Sequence, residues 1–167
     1  MPLAPYTTPA LVRSALGVSA KERSDAAIDT STNATWLKEQ LYAISDTLPA
    51  DLAAAIANTS PTANEARFRD LGCMFCDYVV ALRELSSAPL FAPKEIKDDR
   101  TALMRIDDPF KKLAGELQTA LGFVQPKLEK VYLLLNPTAV INASDGIDLA
   151  TAVGLASAPG SDPVTGT

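Results

Sequence analysis

The chain of 167 residues contains no histidine, only two cysteines, one tryptophan and eight glycines. Without histidine there is no imidazole to act as a general base near neutral pH or to bind a metal. Histidine triads and histidine-bearing zinc sites are therefore excluded. The two thiols, Cys73 and Cys76, form the single pair "CMFC". Two thiolates are half of the four ligands that a structural zinc takes. A redox pair would need a helix N-terminus to lower its thiol pKa, whereas this pair falls in the middle of a helical pattern, so both are read as reduced, structural cysteines. No glycine-rich phosphate loop occurs. No apolar run approaches the length of a membrane span, and the start, "MPLAPYTTPA", has no basic segment followed by an apolar one. The expectation is a soluble protein, without membrane contact, that is not exported by the usual signal. Cationic surface is scarce as well: the formal charge of −5 argues against a broad basic face for nucleic acid.

Hydrophobic content is ample, at 47%, enough for one core without disulfides or metal. Its spacing is helical. In "TTPALVRSALG" Thr8 is a cap, Pro9 suits the first helical position, Leu11, Val12, Ala15 and Leu16 share one side, and Gly17 stops the turn. "SAKE", Ser19 to Glu22, has capping-box spacing and opens another turn or short helix. The polar "DTSTN" is read as a separator. After it, Leu37, Leu41, Ile44 and Leu48 follow helical steps until Pro49 ends or bends the helix, and "ADLAAAIAN" is its offset continuation or a separate segment. Two stronger helices follow. Thr62 and Glu65 form a capping box before the stripe Phe68, Leu71, Phe75, Val79 and Leu82, in which Gly72 marks a close helix crossing. From "DDPF", with Asp107 or Asp108 as cap and Pro109 in the first turn, the stripe Phe110, Leu113, Leu117, Leu121, Val124, Leu128, Val131 and Leu135 runs on, with a bend expected at Pro126. The predicted fold is all-α: a small helical bundle with two long helices, a long extended arm between them and a partly disordered C-terminal tail.

Between the two stripes lies "FAPKEIKDDRTALMRIDDPF", residues 91 to 110, apolar at both ends and mixed in charge between them. A loop of this length is either functional or disordered. Past Pro137 the helical signal stops. The rest holds three aspartates, no lysine or arginine, and a final stretch rich in Gly, Pro, Ser and Thr. Val140, Ile141, Ile147, Leu149, Val153 and Leu155 are nevertheless too apolar for solvent alone, so part of the tail is expected to dock on the domain or a neighbouring subunit.

Two motifs invite a functional reading. Residues 8 to 28 have the rhythm of a helix-turn-helix, which would make the protein a DNA-binding regulator. However, Lys21 and Arg23 are offset by Glu22 and Asp25 in the segment that would read bases. The aspartate pairs Asp98 and Asp99, and Asp107 and Asp108, lack the further oxygen ligands of a divalent-ion site and read as turn and cap residues.

Taken together, "TTPALVRSALGVSAKERSDAAI", the helical pair and "APLFAPKEIKDDRTALMRIDDPFKK" resemble the small helical head-tail connector, or adaptor, proteins of tailed bacteriophages, over roughly residues 7 to 135. The matching positions are Phe91 to Lys94, Ile96, Asp98, Met104, Arg105 and Asp108 to Phe110; relatives often have glycine where this chain has Asp99. The resemblance implies a structural virion protein with no enzymatic activity, cofactor or metal. It implies a homo-oligomeric ring, usually of twelve subunits, that binds the portal protein above and a tail, stopper or second neck protein below. Packaged double-stranded DNA would pass through its lumen, and the ring would assemble in the host cytoplasm and reside at the head-tail interface of the virion. On this reading residues 7–136 form the connector domain, the arm spans 91–108, and 137–167 is the tail. The candidate portal and subunit contacts are Phe91, Lys94, Ile96, Lys97, Arg100, Met104, Arg105 and Ile106.

Overall fold

The computed structural model describes residues 2–87, 96–98, 101–103 and 109–142. In chain order these form α1 (Pro9–Leu16), α2 (Asp25–Ile28), α3 (Ser31–Ile44), α4 (Leu48–Ala57), α5 (Ala63–Ser87), β1 (Ile96–Asp98), β2 (Thr101–Leu103) and α6 (Pro109–Leu135). The fold is all-helical, with one minimal two-stranded ribbon between the long helices.

Local chemistry sets most helix ends. The Thr8 hydroxyl accepts from the Leu11 amide, and Gly17 closes α1 in the left-handed region, at φ 67° and ψ 27°, where a side chain would be strained. Val12 and Leu16 face the core while Leu11, expected beside them, lies toward solvent. At residue 62 the capping box forms as expected: the Thr62 amide and hydroxyl donate to Glu65 Oε2 at 2.7 and 2.8 Å, and the Glu65 amide donates back at 3.4 Å. The Ser19 amide and hydroxyl likewise donate to Glu22 Oε2, at 2.7 and 2.8 Å, but the Glu22 amide returns to the Ser19 carbonyl, at 3.1 Å, and the chain there makes the turn without a helix beginning.

Two boundaries differ from expectation. α3 begins at Ser31, inside the stretch read as a polar separator, because the Thr30 hydroxyl accepts from the Asn33 amide at 3.2 Å and caps it there. Pro49 does not end that helix. α3 closes at Ile44, and Pro49 sits in the first turn of α4, where its missing N–H costs nothing.

The core is built on α5 and α6, which pack along each other over most of their length. Phe68, near the start of α5, stacks on Tyr132, near the end of α6, with ring centroids 5.6 Å apart. Long helices that meet this way run antiparallel, as a helical hairpin. Phe75, Val79 and Leu82 from α5 and Leu117, Leu121, Val124, Leu128 and Val131 from α6 are all buried, as the two stripes predict. Each such side chain contributes about 1.5–3 kcal/mol on leaving water. α6 continues as helix through Pro126. α4 crosses α5 at Gly72, as expected, and a β-carbon there would stand 2.9 Å from Leu52 Cδ2, so any larger residue would force the buried Leu52 side chain to shift.

The N-terminal segment is part of this body. Leu3 and Tyr6 are buried, the Leu3 amide donates to Asp29 Oδ1 at 2.9 Å, and the Tyr6 hydroxyl donates to the Pro49 carbonyl at 3.1 Å. Thr7 donates its hydroxyl to Asp77 on α5. Burial pushes the Asp77 carboxyl up to about 6, with the Thr7 bond opposing. A carboxyl raised above its unfolded value stabilises the fold below that unfolded value, and the contribution is lost as pH rises through about 6. Thermal melts between pH 3.5 and 7.5 should therefore show a decline across roughly pH 4 to 6 that Asp77→Asn flattens. An unchanged slope in the variant would assign that pH dependence to other groups.

Candidate functional site

Because α5 and α6 run antiparallel, the segment joining them leaves from the end opposite Phe68 and Tyr132. Nineteen residues of α5 separate Phe68 from Ser87, or about 28 Å of helix. The arm is thus carried at the tip of the hairpin. Within it β1 and β2 pair antiparallel, with Ile96 opposite Leu103, Lys97 opposite Ala102 and Asp98 opposite Thr101, which leaves Asp99 and Arg100 as the connection. Of the candidate contact residues, Ile96 and Lys97 lie in β1. Phe91, Lys94, Arg100, Met104, Arg105 and Ile106 lie outside the described residues, as do Asp107 and Asp108.

The ribbon is a feature the sequence reading missed, having seen an extended arm without a period. The signal was present but short: Ile96 and Thr101 are β-branched, and two residues separate the strands. Asp99-Arg100 lacks the glycine that marks a tight hairpin turn, which is why the pattern passed as loop.

The end of α5, which leads into the arm, is anchored by charge. Glu84, one turn before the end of α5, is only 7% exposed. It accepts from Arg23 Nε at 2.6 Å and from Asn33 Nδ2 at 2.8 Å. Asn33 Nδ2 also donates to the Ile28 carbonyl at 2.7 Å. One carboxylate therefore ties the turn before α2, the end of α2 and the start of α3 to the root of the arm. Arg83 stacks over Trp36 of α3, 4.9 Å from the ring centroid, beside an open groove of about 370 Å³.

At the other end of the hairpin is an open cleft of about 600 Å³ lined by Ser45, Asp46, Thr47, Asp51 and Asn136 and, from the chain beyond α6, by Thr138, Ala139, Val140 and Asn142. Its polar groups are largely occupied with one another. The Tyr132 hydroxyl donates to Asp51 Oδ2 at 2.7 Å and is 2.5 Å from Thr47 Oγ1. Burial, the largest influence, raises the Tyr132 pKa and keeps this hydroxyl protonated as a donor. Asn142 bonds the carbonyls of Ile44 and Tyr42 and the Asp46 carboxylate. The cleft thus holds the start of the tail against α3, as expected for part of that segment. Its described lining presents hydroxyls and carboxylates and no cationic side chain.

The cysteines are poorly suited to chemistry. Cys76 is sealed in the core, and burial, then the neighbouring Cys73 and Asp77, push its thiol pKa well up. Cys73 is raised for the same first reason, with Asp77 and Asp70 adding to it. Thiols raised in this way supply little thiolate at neutral pH. Among the described residues no three His, Cys, Asp or Glu side chains are grouped to hold a metal, and no helix is long and apolar enough to cross a membrane.

The helix-turn-helix reading meets a geometric obstacle. The second helix is α2, four residues or about 6 Å long, and its Ile28 is fully buried. Arg13 is engaged by Asp25 and Arg23 by Glu84, so two of the cations available for phosphates are already paired. A single helical turn so placed offers no recognition surface for a major groove. No known protein family, curated protein or solved structure matches this chain.

Proposed function

We propose that this chain is a structural connector subunit of a tailed-phage neck, forming a ring that joins the portal vertex of the head to the tail or stopper around the DNA channel. The observation that supports it best is the ribbon arm at the tip of the α5–α6 hairpin, braced at its root by Arg23, Glu84 and Asn33. A two-stranded ribbon leaves backbone edges free to pair with another chain. The packed α5–α6 hairpin supplies a long rod to carry it. Residues 94 to 112, the arm together with the first turn of α6, contain six basic and five acidic residues, so this stretch approaches acidic protein or DNA without the repulsion that the overall charge of −5 implies. Head-to-tail contacts between an arm and a different patch on the next subunit close into rings when the rotation permits.

The test is electron microscopy of the purified chain, alone and mixed with the portal protein of the same phage, with hydrogen exchange followed across residues 91 to 108. Rings seated on the portal, with exchange protection in the arm that appears only in the assembly, are the expected result. A chain that stays monomeric and leaves the portal undecorated overturns the proposal.

A further inference from the structure

The outer face of α6 is unusually apolar for a surface that no other described element covers. Phe123 and Leu134 are each 64% exposed and Leu133 is 40% exposed. Phe123, Lys127, Lys130 and Leu134 follow at steps of four, three and four, which places them in one row on the helix. Lys127 folds its ammonium over the Phe123 ring, 3.3 Å from the centroid, giving the ring partial cover. The row therefore reads apolar, cation, cation, apolar, with no acidic residue in it. It is also distinct from the arm and from the buried stripe.

We propose that the chain's own C-terminal segment, residues 145 to 155, lies along this face of α6. Four features of the chain select that occupant. The first is charge: residues 143 to 167 carry Asp145, Asp148 and Asp162 and no lysine or arginine, the complement of Lys127 and Lys130. The second is pattern. Ile147, Leu149, Val153 and Leu155 occupy alternate positions, interrupted only by Thr151, so an extended segment would present them along one edge. The third is place: Asn142 is pinned in the cleft whose wall includes Asn136, the residue after the end of α6. The segment thus starts at the end of α6 that carries Leu134, on the Tyr132 side of the helix, and residues 143 to 146 are left to carry it round to the row. The fourth is length. Phe123 to Leu134 spans about 16 Å of helix, while residues 147 to 155 reach about 26 Å when extended and the four before them bridge about 13 Å more. The segment reaches its own α6 without a second subunit. Running back from the C-terminal end of α6, it sets Asp145 and Asp148 near Lys130 and its later apolar residues toward Phe123.

A photoreactive benzoylphenylalanine in place of Phe123, in the full chain, tests this. The site is exposed, so the fold tolerates the larger ring, and the same probe in place of Leu134 serves as a second position. The expected product is a crosslink to residues 145 to 155 within one chain, at a yield independent of protein concentration. Mixing isotope-labelled with unlabelled chains distinguishes this from a crosslink between subunits. In the full chain carrying Lys127→Glu and Lys130→Glu, the yield should fall about tenfold, since two exposed attractions become repulsions. Crosslinks that join labelled to unlabelled chains, or that fall outside the segment, overturn the proposal. So does a yield unaffected by the charge reversals. Because the readout needs neither a portal nor a ring, its result is independent of the connector assignment.

Discussion

Replacing Tyr132 with alanine is expected to destabilise the fold by about 4 kcal/mol, and replacing it with phenylalanine by only about 1 kcal/mol. Tyr132 is fully buried, and its ring stacks on Phe68 at an interplanar angle of 25°. Truncation to alanine would remove the contact that joins the start of α5 to the end of α6 and leave a ring-sized cavity. The hydroxyl matters less, for a specific reason. Its partners Thr47 and Asp51 line the open cleft, so water can replace it without burying an unsatisfied group. Urea unfolding of the two variants measures the difference. Equal losses for alanine and phenylalanine would place the energy in the hydrogen bonds and not in the stacked ring.

The parts of this fold that were legible in sequence are those decided within a few residues. Thr8, Pro9 and Gly17 bracket α1, Thr62 and Glu65 open α5, and the stripes of α5 and α6 have the period of the faces they bury. Gly72 was legible as a crossing because glycine in mid-helix needs a packing reason. Misreadings arose where two local signals competed. Thr30 and the residues after it look like a loop by composition, yet Thr30 is a cap and Asn33 finds two buried acceptors, one of them 51 residues away. Pro49 is read equally well as a helix end or a helix start, and only the break at Ser45 decides between them.

The candidate site was legible in part. That the segment between the stripes lacks a helical period was plain; that six of its residues pair as a ribbon was not, because strands of three residues carry too little pattern and the connecting residues lack glycine. The brace beneath the arm was invisible for another reason. Arg23 and Glu84 lie 61 positions apart, each beside other charges, and nothing local distinguishes a buried ion pair from two solvated side chains. In sequence, Arg23 reads as one of the cations of a helix-turn-helix. The structure gives it to Glu84.

That pair carries the second large effect. Arg23→Ala is expected to cost about 3 kcal/mol, because it removes a cation held at 2.6 Å from a buried carboxylate, and breaking such a pair costs far more than the pair itself contributes. Arg23 is one-third exposed while Glu84 is 7% exposed, so the two halves of the pair are unequal. Water reaches the guanidinium in the folded state and solvates it if Glu84 is removed; it does not reach the carboxylate as readily if Arg23 is removed. Glu84→Gln alone should therefore be the milder change, since the amide retains an oxygen for Asn33 Nδ2 and carries no charge to strand. In the Arg23→Ala background the same glutamine substitution should restore about 1 kcal/mol or more, the reverse of its effect in the native chain. A double-mutant cycle by denaturant unfolding reads that change of sign directly. If Glu84→Gln instead destabilises both backgrounds equally, Arg23 and Glu84 are uncoupled and the carboxylate is held by its other partners, Asn33 among them. The location adds a second reading of the same variant. Glu84 lies at the last turn of α5, so Arg23→Ala should raise hydrogen exchange first in α2, the start of α3 and the end of α5, while the Phe68–Tyr132 end of the hairpin keeps its protection. Loosening confined to the root of the arm would show that the brace acts locally on the element proposed to meet the portal, whereas uniform loss along α5 and α6 would make it a contributor to the whole core.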